Sequence, residues 1–283
     1  MNLPTPKSAI SKSPQPSRRR KIINRIKIAA ANLGPEDRRE QVREFGDYFF
    51  PFFSTGNFRY SPYRRDIEEL DLESLIAIAS EEAAKDLEIK ERILATTDAP
   101  RTQADMTPGL KRFGIGGEAS SPTEVKYLID PSNPQTLKLL SEMMDRTVAH
   151  EMAHIARMQA KVQKFSPTLI DKLIDEGLAT HYDENWKGKF LASPYREGLT
   201  QAQIEHEWQL ARPQLFQPLS EQGHASWFLG EEGQHPVWTG YSLGAAIVRS
   251  YSESQPSQPM REMIRLPSRT ILQGSSFAIL TPL

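Results

Sequence analysis

The sequence contains no cysteine among its 283 residues. This absence excludes a disulfide framework and every zinc site built on thiolates. Any zinc ion would therefore be held by histidine and carboxylate side chains. The absence of cysteine does not by itself identify a cellular compartment.

Long apolar runs and an excess of one charge are also missing. No stretch approaches the roughly 20 apolar residues of a membrane-spanning helix, and the formal net charge is −1. The sequence thus predicts no membrane span and gives no strong nucleic-acid signal. Residues 1–17 are rich in Pro, Ser and Lys and lack the apolar core of a secretory signal. We therefore expect a cytoplasmic protein.

The chain divides by composition into a tail and one domain. Residues 1–31 carry the run Arg18-Arg19-Arg20-Lys21 within a Pro/Ser-rich stretch, which predicts a flexible basic tail. An organelle transit peptide or a nucleic-acid arm is the alternative interpretation of this tail. Residues 32–283 are predicted to form a single domain, with a sheet and a long helix at about 66–165 and a helical C-terminal part at about 166–283.

Hydrophobic periodicity predicts an α+β order of elements. We expect a helix at residues 71–86, followed by strands at 89–96, 111–119 and 124–130. A long helix follows, with Asn133 as N-cap and Pro134 at its first position. It carries one apolar stripe, formed by Leu137, Leu140, Met144, Val148, Met152 and Ile155. Further helices are predicted from residue 166 to about 182, at 200–212 and at 241–251, with a loop at 252–259.

The long helix contains the pattern His-Glu-x-x-His. His150 and His154 lie four residues apart, so their side chains occupy one helix face and can bind one Zn²⁺ at about 2.0–2.1 Å. Glu151 lies about 100° round the helix from His150, where it can reach a metal-activated water without being a ligand. The alternative is a surface His/Glu cluster on an ordinary helix.

A catalytic zinc of this kind needs a third protein ligand. One class of such enzymes uses Gly and His three and six residues after the second histidine, but Arg157 and Ala160 occupy those places here. A second class uses a Glu from the next helix. Glu176 lies 22 positions after His154, at the edge of the apolar stripe of that helix. Asp175 should face further away, and His181 is the rival ligand.

Four segments together resemble the gluzincin metalloproteases. They are Gly114-Ile115-Gly116-Gly117-Glu118-Ala119, His150-Glu151-Met152-Ala153-His154, Asp175-Glu176-Gly177-Leu178-Ala179 and Gly240-Tyr241-Ser242-Leu243-Gly244. The chain looks closest to a small bacterial family of predicted Zn-dependent proteases of unassigned substrate. The resemblance covers most of residues 89–277.

This resemblance implies a zincin-like, minimal gluzincin fold with a small mixed sheet. One Zn²⁺ would be bound by His150, His154 and Glu176, and Glu151 would act as the general base in peptide-bond hydrolysis. Many gluzincins carry an acidic residue four positions after the third ligand, where it bonds a ligand histidine. Here Thr180 occupies that position, so the partners that orient the histidines are not identified by the motif, although such partners are expected.

Two further groups are candidates for contacts with substrate. The oxyanion of the reaction should need a donor besides zinc, and we select Tyr241 first, then His235, then His224. Gly116, Gly117, Glu118 and Ala119 should lie on a sheet edge that an extended substrate pairs with. A Gly-rich hairpin turn is the alternative for this segment, and simple packing at a helix start is the alternative for Tyr241.

The preferred functional hypothesis is a zinc-dependent peptidase that acts on a peptide or protein substrate. The second hypothesis is a catalytically inactive binding or chaperone-like module on the same scaffold. An intact Glu151 favours the peptidase, since a module that only binds zinc does not need a general base. The sequence predicts neither the substrate nor the oligomeric state.

Overall fold

The computed structural model describes residues 72–100, 108–130, 132–133, 135–162, 166–188, 193, 198–230 and 234–278. The predicted basic tail at residues 1–31 lies outside the described residues.

A small mixed sheet opens the described chain. Its strands are β1 (Leu94–Asp98), β2 (Ile115–Ser121) and β3 (Glu124–Ile129), in the order β1-β3-β2. The central strand β3 pairs in parallel with β1 and antiparallel with β2. Strand β2 is therefore an edge strand of this sheet, and one of its sides faces no other strand within the described chain.

Helices make up most of the remainder. Two of them precede or interrupt the sheet, α1 (Leu72–Asp86) and α2 (Pro108–Phe113). The others follow it: α3 (Thr136–Gln159), α4 (Leu169–Glu184), α5 (Gln201–Ala211), α6 (Glu221–His224), α7 (Thr239–Ser254), α8 (Met260–Met263) and α9 (Ser268–Gly274). A π-helical turn, Ala225–Leu229, continues α6. The α+β class, the small mixed sheet and the helical C-terminal part are thus confirmed.

Helix α3 lies at the centre of the core. One side of it packs on α1 and on strands β2 and β3, and the other side packs on α4. The predicted apolar stripe is buried as expected at Leu140, Met144, Val148, Met152 and Ile155. Because the stripe anchors α3 between sheet and helices, the residues beside it are fixed relative to both β2 and α4.

Helices α4 and α7 cross at a pair of glycines. A Cβ atom at Gly177 would lie 2.3 Å from the Gly244 carbonyl oxygen, and a Cβ atom at Gly244 would lie 2.0 Å from the Leu173 carbonyl oxygen. Glycine at both positions permits this close approach of backbones. Gly177 therefore packs α4 against α7, which explains a glycine in the middle of a helix.

The strand predictions were partly wrong. Strand β1 begins at Leu94 rather than at residue 89, and residues 111–113 belong to helix α2 rather than to a strand. Helix α2 is only six residues long, and Gly114 ends it with φ of +70°. A helix this short has too few residues to show a helical period, and the apolar and glycine residues of β2 follow it directly. The sequence pattern of the two elements together therefore predicts a single strand.

Helix α3 starts later than predicted. Its first residue is Thr136 and its N-cap is Gln135, not Asn133. The Asn133 side chain instead accepts a hydrogen bond from the Gln135 N–H, and the Thr136 hydroxyl donates to the Asp130 carbonyl oxygen. These local bonds form a turn that delays the helix. At the other end of the chain, α7 continues to Ser254 and shortens the predicted 252–259 loop.

None of the helices that the structure describes is long and apolar enough to cross a lipid bilayer.

Candidate metal centre

Two helices bring three potential metal ligands together. Helix α3 supplies His150 and His154, and α4 supplies Glu176. Their ligand atoms all lie within 4.8 Å of one another. Oε2 of Glu176 is 3.4 Å from Nε2 of His150 and 3.3 Å from Nε2 of His154. All three residues are buried, so the sequence-predicted triad converges at one point.

The position of Glu176 depends on where α4 begins. Thr168 caps the helix in a capping box with Asp171, in which each side chain bonds the other residue's backbone N–H. The N–H groups of Leu169 and Ile170 bond the carbonyl oxygens of Gln217 and Leu215. With its first turn held in this way, α4 places Glu176 two turns further on, opposite the histidines.

A carboxylate orients each histidine from behind. His150 Nδ1 lies 3.0 Å from Asp183 Oδ2, and His154 Nδ1 lies 3.3 Å from Asp175 Oδ2. An ionised carboxylate can only accept a hydrogen bond, so each Nδ1 is the protonated nitrogen. When a zinc ion is bound, both Nε2 atoms would supply a lone pair to it, and both point towards Glu176. This is the arrangement in which histidines bind zinc.

The neighbouring carboxylates favour the protonated, positively charged forms of the two histidines. Burial lowers the pKa of His150, but hydrogen bonds to Asp183 and Glu176 outweigh it and raise the pKa to about 9. Burial acts likewise on His154, and the charges of Asp175 and Glu176 raise its pKa well above the ordinary value. The pKa of Glu176 is held well below its usual value, because His154 and Lys172 outweigh the effect of burial.

Glu151 lies between the candidate metal ligands and strand β2. Its Oε2 accepts a 2.9 Å hydrogen bond from the Ala119 N–H on β2. Gly117 covers the carboxylate, and a Cβ atom there would lie 2.5 Å from Glu151 Cγ. Burial raises the pKa of Glu151 above its ordinary value, although His150 and His154 oppose the rise. A raised pKa makes the carboxylate a stronger proton acceptor, which suits a general base.

The backbone groups on the unpaired side of β2 are directed towards Glu151. The Asp130 N–H bonds the Gly114 carbonyl oxygen, and antiparallel pairs alternate between bonded and non-bonded. In the observed register, Gly117 and Ala119 fall on non-bonded pairs with Tyr127 and Val125. Their N–H and C=O groups therefore point away from β3, as the bond from Ala119 to Glu151 requires.

The donor set fits zinc. Two imidazole nitrogens and one carboxylate oxygen are the protein ligands of one group of catalytic zinc sites, which leave a fourth position for water or substrate. The orienting carboxylates of Asp175 and Asp183 supply the support that such histidines usually have. We find no other group of three or more His, Asp or Glu side chains in metal-binding geometry within the described chain.

Comparison with known protein families agrees with this geometry. Residues 99–273 match a family model described as predicted Zn-dependent protease (DUF2268), and this span is more than half of the 283 residues. The chain belongs to this family. The expected relationship to predicted Zn-dependent proteases is thereby confirmed at the level of the family. No curated protein matches the chain, and neither does any solved structure.

Two other side chains of α4, His181 and Asp175, bear on the choice of the third ligand. His181 is half-buried and does not belong to the ligand group formed by His150, His154 and Glu176. Asp175 does not face away from the site as predicted, because it is buried and contacts His154. It can do so because α4 packs closely along α3, so that neighbouring positions on α4 both reach the histidine face.

The candidate oxyanion donors lie on elements after α5. The Tyr241 ring is 5.6 Å from the Phe228 ring, which also stacks on His224 at 5.0 Å. Burial and the charge of Lys172 lower the pKa of His224, and Glu176 opposes them, so His224 is electrostatically coupled to the site. His235 contacts other partners: its Nδ1 is 2.7 Å from Glu207 Oε2. The catalytic roles of Tyr241 and His235 stay predictions.

Four residues at the site were missed by the sequence reasoning as functional groups. They are Asp175 and Asp183, which orient the histidines, and the cations Lys172 and Arg157. Lys172 donates to Asp175 and to Glu176. Arg157 Nε lies 3.6 Å from Asp175 Oδ1, while its other nitrogens donate to the carbonyl oxygens of Ile264 and Leu266 and to the Ser268 hydroxyl.

One signal in the sequence could have found Asp183. It lies seven positions after Glu176, two turns along α4, and therefore on the same helix face. The acidic residue expected at position 180 is thus displaced by one turn. Thr180 itself is fully buried, and its hydroxyl has no hydrogen-bond partner among the residues that the structure describes.

Replacing Asp183 by asparagine should weaken zinc binding by about 10- to 100-fold, the usual effect of removing a residue that orients a ligand histidine. The amide cannot match the charge of the carboxylate that holds Nδ1–H of His150. Zinc affinity would be measured by competition with a coloured chelator. Thr180→Val, one turn away, is the matched control and should bind zinc like the wild type. Equal affinity of the Asp183→Asn protein would contradict the assigned role.

Proposed function

We propose that this protein is a zinc-dependent peptidase of the gluzincin type, with a zincin-like fold. One Zn²⁺ is held by His150, His154 and Glu176, and Glu151 is the general base. The observation that carries the proposal is the convergence of these four buried side chains from α3 and α4 against the edge strand β2. The family match supports the same activity at a coarser level.

The protein's own groups provide positioning and proton transfer. When bound, the ion would supply a Lewis acid that lowers the pKa of a water molecule to near 7. Glu151 accepts the proton from the attacking water and passes it to the leaving amine. Because Oε2 is held by the Ala119 N–H, Oε1 is the oxygen that carries the proton. Asp175 and Asp183 keep the histidines in the ligating tautomer during these steps.

A peptide substrate would extend the sheet at β2. The outward N–H and C=O groups of Gly117 lie beside Glu151 and are available to pair with an extended chain by strand addition. Gly117 and Glu118 are exposed, and Gly116 and Ala119 are half-buried, so within the described part of the chain this edge is open to solvent. Strand addition would place the scissile carbonyl over the metal centre with its backbone fixed.

Tyr241 remains the first candidate for the oxyanion donor, with His235 and His224 as alternatives. A tyrosine hydroxyl stays protonated at neutral pH and can donate a hydrogen bond. The structure favours His224 over His235 as the second candidate, because His224 is coupled to Lys172 and Glu176, whereas His235 is bonded to Glu207.

The proposal is tested by metal analysis followed by a cleavage assay. The purified protein should contain about one zinc per chain and should cleave an unfolded protein substrate, and a chelator should abolish that cleavage until zinc is restored. The Glu176→Ala and His154→Ala proteins should lose both the metal and the cleavage, because each lacks one of three ligands.

Two outcomes would contradict the peptidase. A chain that takes up no zinc would remove the metal site. Stoichiometric zinc without any chelator-sensitive cleavage would instead favour the alternative, a binding or chaperone-like module on the same scaffold. An exposed histidine on α5 provides the control variant, His206→Ala, which should keep both metal and activity.

A further inference from the structure

Each carboxylate that touches the candidate ligand group has a basic side chain beside it. Arg146 lies beside Asp183: its Nη1 is 4.0 Å from Asp183 Oδ1 and donates to the Asp183 carbonyl oxygen. Asp175 lies 3.6 Å from Arg157 Nε. Lys172 completes the set, since its ammonium lies beside both Asp175 and Glu176.

Lys172 occupies a particular place in this arrangement. Its Nζ is 3.3 Å from Asp175 Oδ2 and 3.4 Å from Glu176 Oε1. The other oxygen of Glu176, Oε2, is the one that faces both histidines. One oxygen of the Glu176 carboxylate thus contacts the Lys172 ammonium, and the other faces the proposed metal position.

The position of Lys172 in the sequence makes this division possible. It precedes Glu176 by four residues on α4, so the two side chains lie on one helix face. The Lys172 side chain is 25% exposed, while those of Asp175 and Glu176 are 6% and 9% exposed. Charges this deeply placed are weakly screened by solvent, so a neighbouring ammonium has a large electrostatic effect on them.

We propose that Lys172 is a positioning residue that restrains Oε1 of Glu176 and neutralises the carboxylates around the metal position, so that a bound zinc ion keeps more of its positive charge. This inference rests on the proposed function, since it concerns how the same site holds and uses its ion. The zinc ion would then keep more of the positive charge that accelerates hydrolysis. Its binding affinity would be lower, because the Lys172 ammonium repels the divalent cation.

This mechanism makes an unusual prediction for Lys172→Met, which removes the charge but keeps most of the side-chain volume. Zinc should bind about tenfold more tightly, because Asp175 and Glu176 are no longer neutralised. The kcat for peptide hydrolysis should fall by about tenfold, because the more negative surroundings weaken the ion as a Lewis acid. A side chain that only held α4 in place would instead lower affinity and activity together.

The experiment measures the zinc dissociation constant by chelator competition in the full-length protein, alongside kcat and the melting temperature. Lys172→Arg keeps the charge and should restore wild-type affinity within about twofold. Lys187→Met removes a cation that pairs with Glu82 and Asp145 elsewhere on the surface, and it should leave zinc binding unchanged. If Lys172→Met does not fold, Lys172→Gln, which retains a donor for the carboxylates, is measured in its place.

The outcomes separate the two proposals. Tighter zinc binding with slower turnover supports the role of Lys172. Unchanged or weaker binding by the folded, charge-removing variant overturns that role and leaves the zinc peptidase intact. A wild-type protein that takes up no zinc overturns the proposed function itself.

Discussion

Glu151→Gln should reduce peptide hydrolysis by about 10³-fold or more while zinc stays bound with wild-type affinity. General acid–base catalysis by a positioned side chain contributes on the order of 10²–10⁴-fold, and a glutamine amide cannot accept the proton from water. The substitution preserves the fold, because a glutamine oxygen can still accept the 2.9 Å hydrogen bond from the Ala119 N–H. Binding and chemistry are thereby separated in one variant.

The measurement is kcat/KM on a fluorogenic peptide, with zinc content determined for the same samples. Glu81→Gln is the matched control, since Glu81 is an exposed carboxylate on α1, and it should retain activity within about threefold. Substantial hydrolysis by zinc-loaded Glu151→Gln protein would show that another group is the base. Loss of zinc from it would show that Glu151 supports the metal site.

Gly244→Ala should lower the free energy of unfolding by about 3 kcal/mol, near the upper end of the usual cost of overpacking. Its new methyl group would lie 2.0 Å from the Leu173 carbonyl oxygen and 3.1 Å from the Gly177 nitrogen. These are backbone atoms that cannot move aside like a side chain, so α4 and α7 must separate. Helix propensity alone predicts the opposite sign, since alanine is favoured over glycine by about 1 kcal/mol.

Denaturant unfolding followed by circular dichroism gives this free energy. Gly223→Ala provides the control, because the nearest atom to its new methyl group is Leu219 Cδ1 at 3.1 Å, the end of a flexible side chain. Its stability should change by less than about 1 kcal/mol. Wild-type stability in the Gly244→Ala protein would show that the crossing is looser than described. Since Leu173 lies one turn before Glu176, zinc affinity should also fall in this variant.

The histidine pair on α3 was predictable because it depends on helical spacing alone, whereas Glu176 was selected by its motif and its separation from His154. His150 and His154 share a face through their four-residue separation, and Glu176 lies at a distance that permits an antiparallel return. The buried stripe on α3 was predictable for the same reason. The histidine spacing and the apolar stripe are encoded within one helix, so one sequence is sufficient to indicate them.

The groups around the ligands were not predictable in this way. Asp175 and Asp183 contact the histidines only because α3 and α4 pack at a particular distance and rotation, which the crossing of α4 with α7 helps to set. The bond between Ala119 and Glu151 joins positions 32 residues apart. Tertiary packing decides such contacts, and periodicity within one element carries no information about them.

Arg157 adds a consequence for biosynthesis. Its buried guanidinium bonds the Ile264 carbonyl oxygen and the Ser268 hydroxyl, which follow it by 107 and 111 positions in the chain. Translation proceeds from the N-terminus, so α3 and α4, which carry the candidate metal ligands, leave the ribosome well before these acceptors are synthesised. The contact between α3 and the C-terminal segment is therefore among the last contacts that a newly made chain can form.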